Sequence, residues 1–365
     1  FINTPNQRFT QGVKVKEFED AWSKWLGVHY SVFVNSGASA NYIMTSIMKE
    51  THGPGEVIVS PLGWVSDVSP LVNLGFTPVF VDIDKKNMSI TLENIKKAVT
   101  DRTVGVCLVH VLGFNAITDE LVKFCKEKDL FLMEDCCESH GATHEGKKVG
   151  TFGDVSNFSF YFGHHITTIE GGMICTNETK IYEYAKLFRS HGMTREASHE
   201  FKEEYRIKYP DLNPLFTFAV PGYNMRNQEM NAILGLSQLK RLDYNKKRRS
   251  VNFNTWVDNL DGDKYYVDYD RNGNSNFSLP LILSEPNKQT FDDVCDFLQL
   301  NDVEFRIGTA GGGNQARQPY LEGYHVVKHD LTNVDYIHDY GLYIGNHPDL
   351  KENDIKNLCE GLNDL

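Results

Sequence analysis

The sequence predicts an α/β fold in which a mostly parallel sheet, of the seven-stranded type, is wrapped by helices and followed by a smaller α+β C-terminal domain. Three observations predict it. From about residue 30 to residue 176, short β-rich runs alternate with helical patterns, as in strand–helix–strand units. Several of these runs are apolar throughout, as strands covered on both faces are. Towards the C-terminus strands become fewer and helix more frequent, which places a domain boundary near residue 245, with a large domain over 1–244 and a small one over 245–365.

Taken in order, SVFV, EVIVS, PVFVDI, VGVCLVHV and LFLME are the strand runs, and helical patterns lie at 37–50, 66–74, 92–99 and 118–128. Residues 157–176 read as strand, irregular loop and strand. After a polar, charge-rich stretch from Arg195 to Leu215, a helical pattern runs from about Gln228 towards Leu260. The tail offers strands at 277–283, 303–307 and 341–345 and helices at 291–300 and 351–363.

With 365 residues, 41% of them hydrophobic, the chain can bury a full-sized core and exceeds the length at which single cores usually stop growing, so two lobes are expected. A formal charge of −12 argues against nucleic acid as a partner, because affinity for phosphate backbones comes from clustered Lys and Arg. The one short basic run, Lys246 to Arg249, is expected to be the solvated face of a helix. No apolar stretch of eighteen residues occurs, and the opening FINTPNQRFTQG lacks the apolar region of a signal peptide, so a cytoplasmic location is expected. Phe1 at the start predicts a reading frame that begins upstream. The seven cysteines have no spacing suited to zinc or to a redox pair, and no metal is expected.

Three segments carry chemistry. In VFVNSGASANYIM a strand enters a small-residue turn and then a helix, so the backbone N–H groups of Gly37, Ala38 and Ser39 lie at a helix N-terminus, where an anion is favoured. A tight turn capped by Ser36 or Ser39 is the plainer alternative. In LFLMEDCCESHGA a strand ends in Glu134 and Asp135, the end at which open α/β sheets bind ligands, although acids also cap such turns. In NFSFYFGHHITTIEGGMICT a loop holds Ser159, His164, His165, Thr167, Thr168 and Glu170 before Gly171 and Gly172. So many polar groups are costly to bury without a purpose, but adjacent histidines alone are weak evidence for a metal site.

The ordered set SGASAN, PLGW, EDCCESHGA, SFYFGHHITTIEGG, PGYNMRNQEMNA and YGLYIGNHP closely resembles the DegT/DnrJ/EryC1/StrS family of sugar aminotransferases over nearly the whole chain. The resemblance implies the type I aminotransferase fold, pyridoxal 5′-phosphate as cofactor, and a homodimer with shared active sites. It assigns Asp135 to the pyridine nitrogen, Trp64 to stacking on the ring and Glu138 to the cofactor's polar edge. The phosphate falls to Gly37, Ala38, Ser39 and Ser159 of one subunit and Asn224 of the other. A core role for Trp64 and a turn role for Asn224 are the structural alternatives.

One departure decides the expected activity. Where aminotransferases of the family have the lysine that binds the cofactor covalently, five residues after the serine matching Ser159, this chain has His164, and no lysine occurs between Lys148 and Lys180. An imidazole cannot make that bond, so the cofactor must be held noncovalently. The substitution and its GHH context resemble the GDP-4-keto-6-deoxymannose 3-dehydratase branch. That branch implies removal of the C3 hydroxyl from a nucleotide-linked 4-keto-6-deoxyhexose by the pyridoxamine 5′-phosphate form, with L-glutamate as amine donor. Histidine suits the proton transfers, since its ordinary pKa of about 6.5 leaves both forms accessible. Candidate substrate contacts are His165, Arg306, Asn346 and His347, beside the glycine-rich segment Gly308 to Pro319. An ordinary sugar aminotransferase, an iron–sulphur-dependent dehydrase and a noncatalytic nucleotide-sugar-binding protein are the rival readings.

Overall fold

A computed structural model describes residues 1, 3, 5, 7–324 and 327–365. The chain forms two compact units, each built from two stretches: Phe1–Gly53 with Gly150–Arg241, and Pro54–Val149 with Leu242–Leu365.

In the first unit the strand Gly172–Thr176 lies between Tyr30–Val34 and Val155–Ser159 and is antiparallel to both. Its core is aromatic. Trp22 meets Phe158 and Phe160 at centroid distances of 5.0 and 4.9 Å, and Phe18 meets Phe33 edge-on at 5.1 Å. The helix Val13–Leu26, which the sequence reading does not assign, has no side-chain cap of its own. Glu229 supplies one from 214 or more residues away, accepting the amides of Gly12, Lys14 and Val15 at 2.9 Å each. Within this unit two further helices escape that reading, Thr179–Arg189 and, inside the polar stretch, His199–Lys208; in the other unit Thr332–Tyr340 does too. Of these, His199–Lys208 buries no residue.

The second unit holds the parallel strands. Phe131–Asp135, Thr103–Val109, Glu56–Val59, Thr77–Phe80 and Val327–Lys328 pair in that order, each parallel to the next. Phe131–Met133, Val106–Val109, Val57–Val59 and Val79 with Phe80 are buried apolar runs, as expected for strands covered on both faces. Helices Val65–Asn73, Leu92–Ala98 and Asp119–Glu127, and in the first unit Gly37–His52, occur where their patterns predict. A separate antiparallel sheet carries Gly341–Gly345 between Ser278–Ile282 and Phe305–Ile307.

The pattern from Gln228 to Leu260 is two helices, Glu229–Leu239 and Leu242–Asn259. The basic run in the second corrects the expectation of a solvated face. Arg249 is buried, and its guanidinium donates to the carbonyl oxygens of Phe277 and Asn346, while Arg248 reaches those of Pro348 and Leu350. Backbone acceptors, which leave no mark in a charge pattern, draw these arginines inward. Among the described residues no helix is long and apolar enough to cross a membrane.

Candidate active site

In the first unit the strand–turn–helix segment folds as its small residues dictate. Ser36, in extended conformation, caps the helix Gly37–His52 by accepting the Ser39 amide at 3.0 Å. The amides of Gly37 and Ala38 are first-turn donors without an intrahelical acceptor. Gly172 pairs with Val34 on one side and Ser159 on the other, which brings Ser159 to the same end of the sheet as this helix start. A glycine is required there, since a Cβ on residue 172 would lie 2.3 Å from Ser36 O and 2.8 Å from Gly37 N.

The loop between Ser159 and Gly171 turns tightly. The His164 amide donates to Tyr161 O at 3.0 Å and the Thr168 amide to Phe160 O at 2.9 Å. His165 is buried and His164 half-buried, while Tyr161, Phe162 and Ile169 are exposed. Asn224 is exposed and accepts from Arg226 Nε at 3.0 Å.

In the second unit Asp135 ends its strand, buried, with Oδ1 accepting the Cys137 amide at 2.9 Å. Asp67, from the first turn of Val65–Asn73, accepts the Trp64 amide at 2.9 Å. Burial, then the charge of Asp135 beside it, holds the Asp67 carboxyl well above the ordinary range. Glu138 is pushed up to about 7 by loss of hydration and by Asp135, against the Leu112 amide, which it accepts at 2.7 Å, and the charge of Arg306. Leu112 has φ 51°, a strained conformation for a non-glycine residue that this carboxylate helps to hold.

Trp64 is 53% exposed, which excludes a core role. The glycine-rich segment fixes its backbone. Gln315 Nε2 donates to Gly63 O at 3.0 Å, the Gln315 amide donates to Pro61 O at 2.8 Å, and Gly311, at φ 65°, comes too close to Gly63 O to admit a Cβ. Arg306 is exposed, and burial pushes the Tyr343 hydroxyl up to about 12. Asn346 is buried, accepting from Asn252 and donating to the carbonyls of Arg249 and Asn276, and His347 is exposed.

Sequence reasoning missed Asp67, whose only signal is an acid three residues after Trp64 at a helix start, which also reads as a cap. It missed the buried pair of His110 and Glu134 as well. There the Ala116 amide donates to Nδ1 at 3.1 Å, so Nε2 carries the hydrogen and gives it to Glu134 Oε2 at 3.2 Å. With Cys136 these two make a trio of metal-ligand composition, but both ring nitrogens are already engaged.

The model of the DegT/DnrJ/EryC1/StrS aminotransferase family matches residues 3–363. The chain belongs to this family. Within it, the chain is 35% identical to the GDP-4-keto-6-deoxy-D-mannose 3-dehydratase of Yersinia pseudotuberculosis, over 96% of this chain and 91% of that one. It is 30% identical to the dTDP-4-dehydro-2,6-dideoxy-D-glucose 3-dehydratase of Saccharopolyspora spinosa, over 97% and 80%. A crystal structure of GDP-4-keto-6-deoxymannose-3-dehydratase with a trapped PLP-glutamate geminal diamine superposes with a TM-score of 0.88 at 31% identity, covering 97% of this chain and 94% of that one. This member of the family thus has the α/β type I aminotransferase fold, with a mostly parallel sheet, helices and a small antiparallel C-terminal sheet. It is a nucleotide-sugar 3-dehydratase or aminotransferase, in a family for which dependence on pyridoxal phosphate is typical.

Proposed function

We propose that this family member is a nucleotide-sugar 3-dehydratase. It removes the C3 hydroxyl of a nucleotide-linked 4-keto-6-deoxyhexose, GDP-4-keto-6-deoxymannose before others, and leaves a 4-keto-3,6-dideoxyhexose. The cofactor is pyridoxal phosphate in its aminated form, pyridoxamine phosphate, renewed by L-glutamate. The observation that carries this reading is His164 at the position of the cofactor lysine, in a loop without any lysine.

Two features support the fit to the cofactor. The buried acids around Asp135 offer negative charge suited to a protonated pyridine, and the open amides at Gly37 and Ala38 beside Ser159 suit a phosphate. When bound, the cofactor supplies the electron sink that lets a hydroxyl leave beside a carbonyl carbon.

The remaining chemistry belongs to the chain. Asp135 holds the proton on the ring nitrogen, Trp64 covers the ring and Glu138 binds its polar edge. Gly37, Ala38, Ser39 and Ser159 bind the phosphate, with Asn224 contributed across a homodimer. His164 hands a proton to the departing C3 oxygen as imidazolium and takes one up as neutral imidazole, a role typically worth about 10² to 10⁴ in rate. On the substrate side stand His165, Arg306, Asn346 and His347. The amide of Asn346 is committed inside the fold, so direct contact falls to the other three.

The test is mass spectrometry of products from a panel of 4-keto-6-deoxy nucleotide sugars with cofactor and glutamate. A 3-deoxy product supports the proposal, whereas a stable amino sugar overturns it in favour of aminotransfer. Borohydride treatment of the cofactor-loaded protein should leave no cofactor on the chain.

A further inference from the structure

The peptide that joins Gly63 to Trp64 is gripped at both ends. Its N–H donates to Asp67 Oδ2 at 2.9 Å, and its carbonyl oxygen accepts from Gln315 Nε2 at 3.0 Å. A peptide is planar, so two such bonds fix the direction in which the Trp64 side chain leaves the backbone. We propose that Gln315 is a positioning residue that holds Trp64 in the stance from which its indole covers the cofactor ring, and that the glycine-rich segment Gly308 to Pro319 is the brace that carries it.

The brace is built as a unit. The buried Gln315 amide is saturated, since Nε2 also donates to Gly311 O at 3.1 Å and Oε1 accepts the Tyr320 hydroxyl at 3.1 Å. Two carbonyl acceptors on one nitrogen settle which way round the amide stands. At Gly311 the segment runs so close to the turn that a Cβ would lie 3.1 Å from Trp64 Cα. The helix Thr332–Tyr340 anchors the far side. Asn314 donates its backbone N–H to His338 Nδ1 at 3.1 Å and its side chain to Asp335 Oδ1 at 2.8 Å, while Arg317 pairs with Asp335 and Asp339 at 2.7 and 2.9 Å.

The consequence rests on the cofactor reading of Trp64. His164 cannot hold the cofactor covalently, so its retention depends on the contacts around it. A tryptophan whose backbone is already fixed loses less freedom on stacking than one on a loose turn. Gln315 thus acts on affinity through Trp64, without touching cofactor or sugar.

The experiment compares the whole chain with Gln315→Met, which keeps the volume and loses the amide's bonds, with Trp64→Ala, and with the double variant. Trp22 and Trp256 are buried and Trp25 is half-buried, so the iodide quenching of fluorescence that disappears in Trp64→Ala reports on Trp64. In cofactor-free protein this component should change in Gln315→Met. By equilibrium dialysis, affinity for pyridoxal phosphate should fall about tenfold in each single variant, and the double variant should bind no more weakly than Trp64→Ala alone. Unchanged quenching in Gln315→Met overturns the brace, and losses that add in the double variant overturn its action through Trp64. Should Gln315→Met not fold, Tyr320→Phe, which removes only the hydroxyl that holds Oε1, carries the same comparison with smaller losses. Full affinity in Trp64→Ala would overturn the cofactor role of Trp64, while the iodide result still decides the brace by itself.

Discussion

Ser36 and Gly172 approach so closely that the carbonyl oxygen of the first occupies the space a side chain on the second would need. The contact locks the start of the helix Gly37–His52 against the strand that lies between Val34 and Ser159. Gly172→Ala should therefore destabilise the protein by about 1–3 kcal/mol, the cost of overpacking a tight contact. Because the displaced group is the helix start itself, affinity for inorganic phosphate should fall with it. Thermal unfolding and phosphate titration together check this; unchanged values for both would remove the contact from its role.

Glu138 provides a prediction about pH. Its carboxyl is raised from 4.5 to about 7 in the folded chain, chiefly by loss of hydration. A raised acid favours folding in its protonated form, so its contribution is complete below the unfolded value near 4.5 and is lost as pH rises through about 7. Glu138→Gln keeps a neutral group throughout. The fall in melting temperature between pH 4.5 and 8 should accordingly be shallower in the variant than in wild type, and parallel curves would contradict the assignment.

Arg249 tests the buried arginine. Burial lowers its guanidinium to about 10, and its named acceptors are the carbonyls of Phe277 and Asn346. Arg249→Leu strands both, so urea denaturation should reveal a loss of about 1–3 kcal/mol. A solvent-facing arginine would cost far less.

These residues mark where the sequence was legible. Four of the five parallel strands, their helices and the tail elements at 278–282 and 341–345 follow from apolar runs and periodicity, which report burial directly, whereas the strand Val327–Lys328 does not. Ser36, Asp135 and Gly172 were legible because each sits at a local strand–turn junction with its own turn chemistry. Asp67 was not, since its meaning comes from Asp135, 68 residues away in the sequence, and locally it reads as a helix acid. Arg249 misled for the same reason. Its acceptors are backbone atoms at Phe277 and Asn346, which no pattern around residue 249 announces. The helix His199–Lys208 buries nothing, so burial left no trace there to read.

The sharpest test of the proposed function is His164→Lys, which restores the residue that aminotransferases of this family have at that position. A lysine amine can bond covalently to the cofactor's aldehyde, which an imidazole cannot do stably. It would also present a proton to sugar C4 instead of to the oxygen leaving C3. Borohydride reduction should then fix the cofactor to the variant, at residue 164, and not to the wild type. Three-deoxygenation should fall by about 10² or more, the usual worth of a positioned acid or base. Amination need not replace it, because the rest of the pocket still orients the sugar, and a misplacement of about 1 Å can cost roughly a hundredfold. Product analysis by NMR decides the matter: a variant that forms the 3-deoxy sugar at the wild-type rate would take the proton transfer away from His164 and leave His165 or a water molecule to perform it.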